Sequence, residues 1–212
     1  MKTRGLVISG DAWHPAETVR LGLAALGERS FDFEFLESSV ELSLEKMLTF
    51  PVIVIAKANM VSATDVRGWL ALNLQNMFQK HLQHGNGLLF VHGGSARYGE
   101  LPMMRRMMGG GFLSHPPECE VALMPNTAHP LTQASNSFVV RDEHYFMEFE
   151  GAEADVFLHS SSEHGVQPAG WTRGMDGGRV CVLTPGHNLE VWLHPEFQRI
   201  LSNALHWMAN LD

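Results

Sequence analysis

The sequence predicts an α/β protein with a mostly parallel central sheet and helices on both of its faces. Three observations carry this. Short apolar runs recur at Leu6-Val7-Ile8, Pro51-Val52-Ile53-Val54-Ile55 and Leu88-Leu89-Phe90-Val91. They suit strands buried on both faces, as in parallel sheets. Stretches with apolar residues at helical spacing lie between them. The chain has 212 residues, of which 45% are apolar and 18% charged, so it is long enough for a substantial core within one domain spanning 1–212.

Each element follows from local chemistry. Leu6-Val7-Ile8 reads as a strand ending at Ser9-Gly10. Pro15 suits a first helical turn, Val19, Leu23 and Leu26 share a face, and Gly27 is the expected stop. Phe31-Asp32-Phe33-Glu34-Phe35 alternates like a half-buried strand. Val40 to Leu48 reads as one short helix and Pro51 to Ile55 as the next strand. Ser62 is the expected cap of a helix with Asp65 in its first turn and Val66, Leu70, Leu74 and Met77 along one face. His84-Gly85-Asn86-Gly87 ends it and opens the Leu88 strand. The segment from about Arg97 to Glu150 is rich in Gly, Pro and Met and reads as irregular. Alternating runs return at Ala154 to Leu158 and Arg179 to Leu183. Pro195 opens a last helix with Phe197, Ile200, Leu201, Ala204, Leu205 and Met208 as its apolar stripe.

Several function classes are disfavoured. The formal charge of −8 speaks against nucleic acid, whose phosphates call for clustered Lys and Arg. No run is long and apolar enough for a membrane helix. The first apolar run meets Gly10 and Asp11 too early for a signal peptide. Cys119 and Cys181 lack metal-type spacing. The expectation is a cytoplasmic protein with free thiols and a small-molecule partner; a homo-oligomer is left open.

Histidine is over-represented, with twelve residues. Three of them lie just past strand ends: His14 after the first strand, His92 after Leu88–Val91, and His187 after Val180–Leu183. In open α/β sheets, ligands bind beyond the carboxyl ends of the strands. If the sheet is parallel at all three, these histidines share a rim. Imidazole binds divalent metals and also exchanges protons near neutral pH. The sequence leaves both roles open, so His14, His92 and His187 are candidate ligands for a divalent metal such as zinc. Asp142 and Glu143, in Arg141-Asp142-Glu143-His144-Tyr145, are the candidate carboxylate partners. Gly93 and Gly94 permit close approach of backbone or ligand. Trp13, Trp171 and Trp192 are candidate sugar platforms, although packing alone would also account for them. Met103, Met104, Met107 and Met108 read as packing.

The motifs Gly85–Gly94, His115-Pro116-Pro117, His129-Pro130, Asp142-Glu143-His144-Tyr145 and Gly170–Ala209 together resemble the trehalose-utilisation (ThuA-like) family. That family falls within the class I glutamine-amidotransferase-like superfamily. The resemblance implies a flavodoxin-like three-layer α/β/α sandwich and a role in carbohydrate metabolism, on a disaccharide or a keto-sugar. The superfamily keeps a cysteine nucleophile where this chain has His92, so acyl-enzyme chemistry on glutamine is not expected. Ser95 is the weaker alternative nucleophile.

These readings give an enzyme whose catalytic set is His92, His187, Glu143 and Asp142, working by proton transfer or with a metal. Isomerisation and bond cleavage both fit. Trp13, Gly93, Gly94, Ser95, Tyr98, His115, Tyr145 and Trp171 would border the sugar. The alternative is a sugar-binding or regulatory module without turnover.

Overall fold

The computed structural model describes residues 1–149 and 154–211. In chain order the elements are β1 (Thr3–Ser9), α1 (Ala16–Arg29), β2 (Phe31–Leu36), α2 (Leu44–Met47), β3 (Val52–Ala56), α3 (Leu72–Gln83), β4 (Gly87–Val91), α4 (Pro102–Met108), β5 (Gly110–Ser114), β6 (Cys119–Pro125), β7 (Phe138–Asp142), β8 (Phe146–Phe149), β9 (Asp155–Ser162), β10 (Gly165–Met175), β11 (Gly178–Leu183), α5 (Leu189–Leu193) and α6 (Pro195–Met208).

Nine strands make one sheet in the order β2-β1-β3-β4-β11-β10-β9-β6-β7. Its first five strands pair in parallel. From β11 onward the pairing is antiparallel. The expected parallel sheet therefore holds for the half that carries the histidines. Alternate residues of the parallel strands face opposite sides. Val7, Val54, Leu89 and Cys181 join the core layer under α1 and α6. Leu6, Ile53, Phe90 and Val182 join the layer that includes Phe78 of α3 and Met104 and Met107 of α4. This burial on both faces is why these strands read as continuous apolar runs.

The two halves are fastened together. Asp142 ends the strand farthest along the sheet, yet its carboxylate accepts the backbone N–H groups of Gly186 (2.9 Å) and His187 (2.9 Å), just past β11. Strands lie roughly 4.8 Å apart, so a flat sheet could not bring β7 back to that turn. The antiparallel half must curl. The register shifts between Pro168 and Trp171 in β10 supply local bends of the kind that increase twist.

Several elements differ from the sequence expectation. The helix expected from Ser62 starts ten residues later, at Leu72. The Ser62 hydroxyl instead accepts the N–H groups of Thr64 and Asp65 in a turn, and Val66 is exposed. The Asn59 side chain holds the Trp69 and Leu70 N–H groups, fixing an irregular approach to the helix. Val40 to Leu48 splits in two because Ser38 and Ser43 each cap a separate turn. Gly27 lies inside α1, which continues to Arg29. The middle segment contains α4 and four strands rather than irregular chain. Glu150, its expected end, lies outside the described residues. The last helix is as expected, with all six stripe residues buried. Among the described residues, no helix is long and apolar enough to cross a membrane.

Candidate metal centre

The carboxyl ends of β1, β4 and β11 open on one rim, and His14, His92 and His187 meet there. Their ring centroids are 5.0, 5.4 and 5.6 Å apart. Glu143, directly after β7, joins them. One ligand atom from each of the four residues lies within 4.8 Å of the others.

Each side chain is held by its own local structure. The Asp11 carboxylate accepts the backbone N–H groups of Trp13 (2.8 Å), His14 (3.0 Å) and Ala58 (2.6 Å), which ties the loop after β1 to the end of β3. Its oxygens also lie 2.8 and 3.0 Å from His14 Nδ1. Burial acts to raise the Asp11 pKa, but His14 and these N–H groups outweigh it and hold the carboxyl below its usual range. His92 has φ 46, a sparsely populated conformation for a non-glycine residue. Its Nδ1 lies 2.8 Å from the Thr184 carbonyl oxygen, which has no proton to give, so Nδ1 carries the hydrogen. His187 is fixed by its backbone N–H on Asp142.

Two adjacent glycines make room for this arrangement. A Cβ on Gly93 would lie 2.5 Å from His14 Nδ1, and one on Gly94 would lie 1.8 Å from the Ile55 carbonyl oxygen. Gly93 therefore admits the imidazole and Gly94 admits the β3 backbone.

The electrostatics of the cluster suit a cation. With Nδ1 protonated, neutral His92 turns the Nε2 lone pair toward Glu143 Oε2, 3.3 Å away. Burial pushes the His92 pKa down to about 4, against the pull of Glu143, so the ring is neutral at pH 7. His187 Nδ1 approaches the same carboxylate oxygen at 3.4 Å. His14 Nε2, His92 Nε2 and His187 Nδ1 are all buried without a hydrogen-bond partner. Burial acts to raise the Glu143 pKa, but its histidine neighbours reverse the shift and keep it ionised. Three unpartnered imidazole nitrogens and a carboxylate facing one point fit a divalent metal. Asp11 and the Thr184 carbonyl occupy the outer positions that fix ligand tautomers in metal sites.

An open pocket of about 320 Å³ leads to this centre, lined by Trp13, His14, Ala96, Arg97, Phe112, His115, Glu143 and Tyr145; that size is at the lower end for small-molecule sites. Tyr145 stacks on His92 with centroids 4.1 Å apart. His115 Nε2 lies 3.5 Å from Glu143 Oε1, the carboxylate oxygen not shared with His92 and His187. Trp13 is half exposed at the mouth, with the Arg97 guanidinium 5.7 Å from its ring centroid.

Of the residues expected at the site, His14, His92, His187 and Glu143 converge, with Trp13, His115 and Tyr145 in the pocket wall. Others belong elsewhere. Trp171 is fully buried, donates to the Met108 carbonyl and packs on Phe149, so it is core. Tyr98 is also fully buried; its hydroxyl donates to the Lys57 carbonyl and accepts from Trp69. Ser95 is buried with its hydroxyl on the His92 carbonyl, which removes it as a nucleophile. Gly93 and Gly94 accommodate protein atoms rather than a sugar. Asp142 is 1% exposed and spends both oxygens on backbone N–H groups, so it positions the turn that carries His187. Burial pushes its pKa up to about 7 against the pull of those bonds. Asp11, Phe112, Arg97 and the Thr184 carbonyl were not foreseen. Asp11, three residues before His14, carried a readable signal as a turn-forming side chain.

A model of the trehalose utilisation family, ThuA, matches residues 6–208. The chain belongs to the ThuA family. Among solved structures, a ThuA-like protein from Parabacteroides merdae has a TM-score of 0.82 at 17% identity, covering 100% of this chain and 91% of its own. A second ThuA-like protein, from Bacteroides uniformis, has a TM-score of 0.74 at 18% identity, covering 97% and 91%. A β-galactosidase from a Rahnella species has a TM-score of 0.71 at 12% identity; all of this chain matches 32% of that one. None of the curated protein sequences matches the chain. At these identities the structural likeness speaks for the fold, while ThuA membership points to a carbohydrate-related role.

Proposed function

We propose that this ThuA protein is a metal-dependent enzyme of carbohydrate metabolism, acting on a disaccharide or keto-sugar in the Trp13–Tyr145 pocket. His14, His92, His187 and Glu143 hold one divalent metal. The observation that carries the reading is the set of three buried, unpartnered imidazole nitrogens turned toward one carboxylate. A bound ion of this kind supplies Lewis acidity that polarises a sugar oxygen.

The protein's own groups set up the rest. Trp13 and Phe112 offer ring faces to the apolar side of a sugar, while the buried Tyr145 ring backs the site against His92. Glu143 Oε1 faces His115 at the pocket side, so the pair is placed to take and return a proton. Burial, with the charge of Glu143, drives the Tyr145 phenol well above its usual pKa, so it remains neutral and can donate a hydrogen bond. The parallel half, β2-β1-β3-β4-β11, has the strand order of doubly wound flavodoxin-like sheets. We read the whole chain accordingly, as one three-layer domain working in the cytoplasm. A binding module without turnover would use the same pocket, and kinetics separate the two.

The test is turnover of keto-sugars and disaccharides by protein stripped of metal and then reloaded. Activity that returns with metal and is lost in His115→Ala, with metal content unchanged, supports an enzyme. Sugar binding without turnover in the loaded protein would make it a binding module.

A further inference from the structure

Arg97 is an exposed residue beside the pocket with an unusual backbone. It has φ 62, in the left-handed region. That conformation costs a non-glycine residue about 1–2 kcal/mol, and such strain gathers at ligand clamps. Arg97 lies two residues past the end of the His92–Ser95 turn. The turn fixes where the guanidinium emerges: against Trp13, on the wall that also includes Glu143 and Tyr145. Among the described residues Arg97 makes no ion pair, although Glu100 shares a neighbouring hollow with it. A guanidinium 5.7 Å from the indole centroid and without an ion pair keeps its fork of N–H donors for a ligand. In a chain of net charge −8, an unpaired arginine here is a local exception.

We infer that Arg97 is a specificity residue for an anionic sugar: it grips a carboxylate or phosphate on the ligand while the ring lies on Trp13 and the reacting oxygen reaches the histidine centre. This rests on the pocket being the sugar site. The planar fork matches both anions, and neutral hydroxyls would use little of its bidentate geometry.

The experiment is calorimetric titration of the metal-loaded protein with glucose, glucuronate and glucose 6-phosphate, repeated on Arg97→Met and Arg97→Lys. Arg97 is exposed, so neither variant threatens the core. At least one anionic sugar is expected to bind about tenfold or more tightly than glucose, and Arg97→Met to weaken that ligand about 10–100-fold while changing glucose less than twofold. Arg97→Lys should fall between. Whether glucuronate or the phosphate suffers the larger loss identifies the anion. Anionic and neutral sugars binding alike, or an anion preference that survives Arg97→Met, would overturn the role of Arg97 and leave the pocket's function standing. Binding by a neutral disaccharide such as trehalose but by none of these three would overturn the role of Arg97 alone, and no binding by the three or by the disaccharide would overturn both.

Discussion

At the scale of single residues, tautomers decide what the centre can do. Asp11 and the Thr184 carbonyl claim one nitrogen each of His14 and His92, and the other nitrogen faces the centre. Asp11→Asn should weaken metal binding about 10–100-fold, measured by competition with a chelator; unchanged affinity would mean that the Asp11 contact serves only the loop. The glycine pair gives opposite predictions. Gly93→Ala presses on the His14 ring and should impair metal binding while the protein still folds. Gly94→Ala drives a Cβ into the Ile55 carbonyl and should cost roughly 3 kcal/mol of stability, read from denaturant unfolding. Ser95→Ala should leave turnover intact. His14, His92 and His187 were legible in the sequence because a residue just after a parallel strand must emerge at the rim. Tyr98, Trp171 and Ser95 were misplaced because burial is set by tertiary packing, which short-range pattern does not reveal.

At the scale of elements, the Asp142 clasp joins the halves of the sheet. Asp142→Ala strands the buried Gly186 N–H, at about 1–3 kcal/mol, and the part-buried His187 N–H at less. It should also disturb His187 and Glu143 together, so stability and metal binding would fall in step. Helix α3 carries a second test. His81 is fully buried, and burial lowers its pKa from 6.5 to about 4. The unfolded chain therefore takes up the proton first as pH falls. This residue's share of stability is complete above about pH 6.5 and is lost progressively down to about pH 4. Between pH 7 and 5, wild type should lose roughly 2 kcal/mol more than His81→Gln, read from unfolding curves; parallel pH profiles would contradict it. The elements themselves were legible where periodicity was strong, as in α6 and β4. They were not legible where side chains capture backbone groups, as Ser62 and Asn59 do, because such turns imitate helix starts.

At the scale of the whole molecule, the parallel half follows from its apolar runs and helical spacers. The antiparallel half does not, since its strands are half exposed and its curl depends on the register shifts of β10 and the distant Asp142 clasp. Glu143 shows what that costs a sequence reading: it was a candidate carboxylate, but only the curl explains how a residue just past the last strand in the sheet reaches the histidines. The centre is thus a product of both halves closing on each other. The most direct measurement is the metal content of protein purified without an affinity tag, beside His14→Ala, His92→Ala and His187→Ala, with His115→Ala as the control. The account predicts about one equivalent of a divalent metal in the wild type and in His115→Ala, and little in the other three. Metal-free wild-type protein that also fails to take up zinc, manganese or iron on dialysis would contradict it.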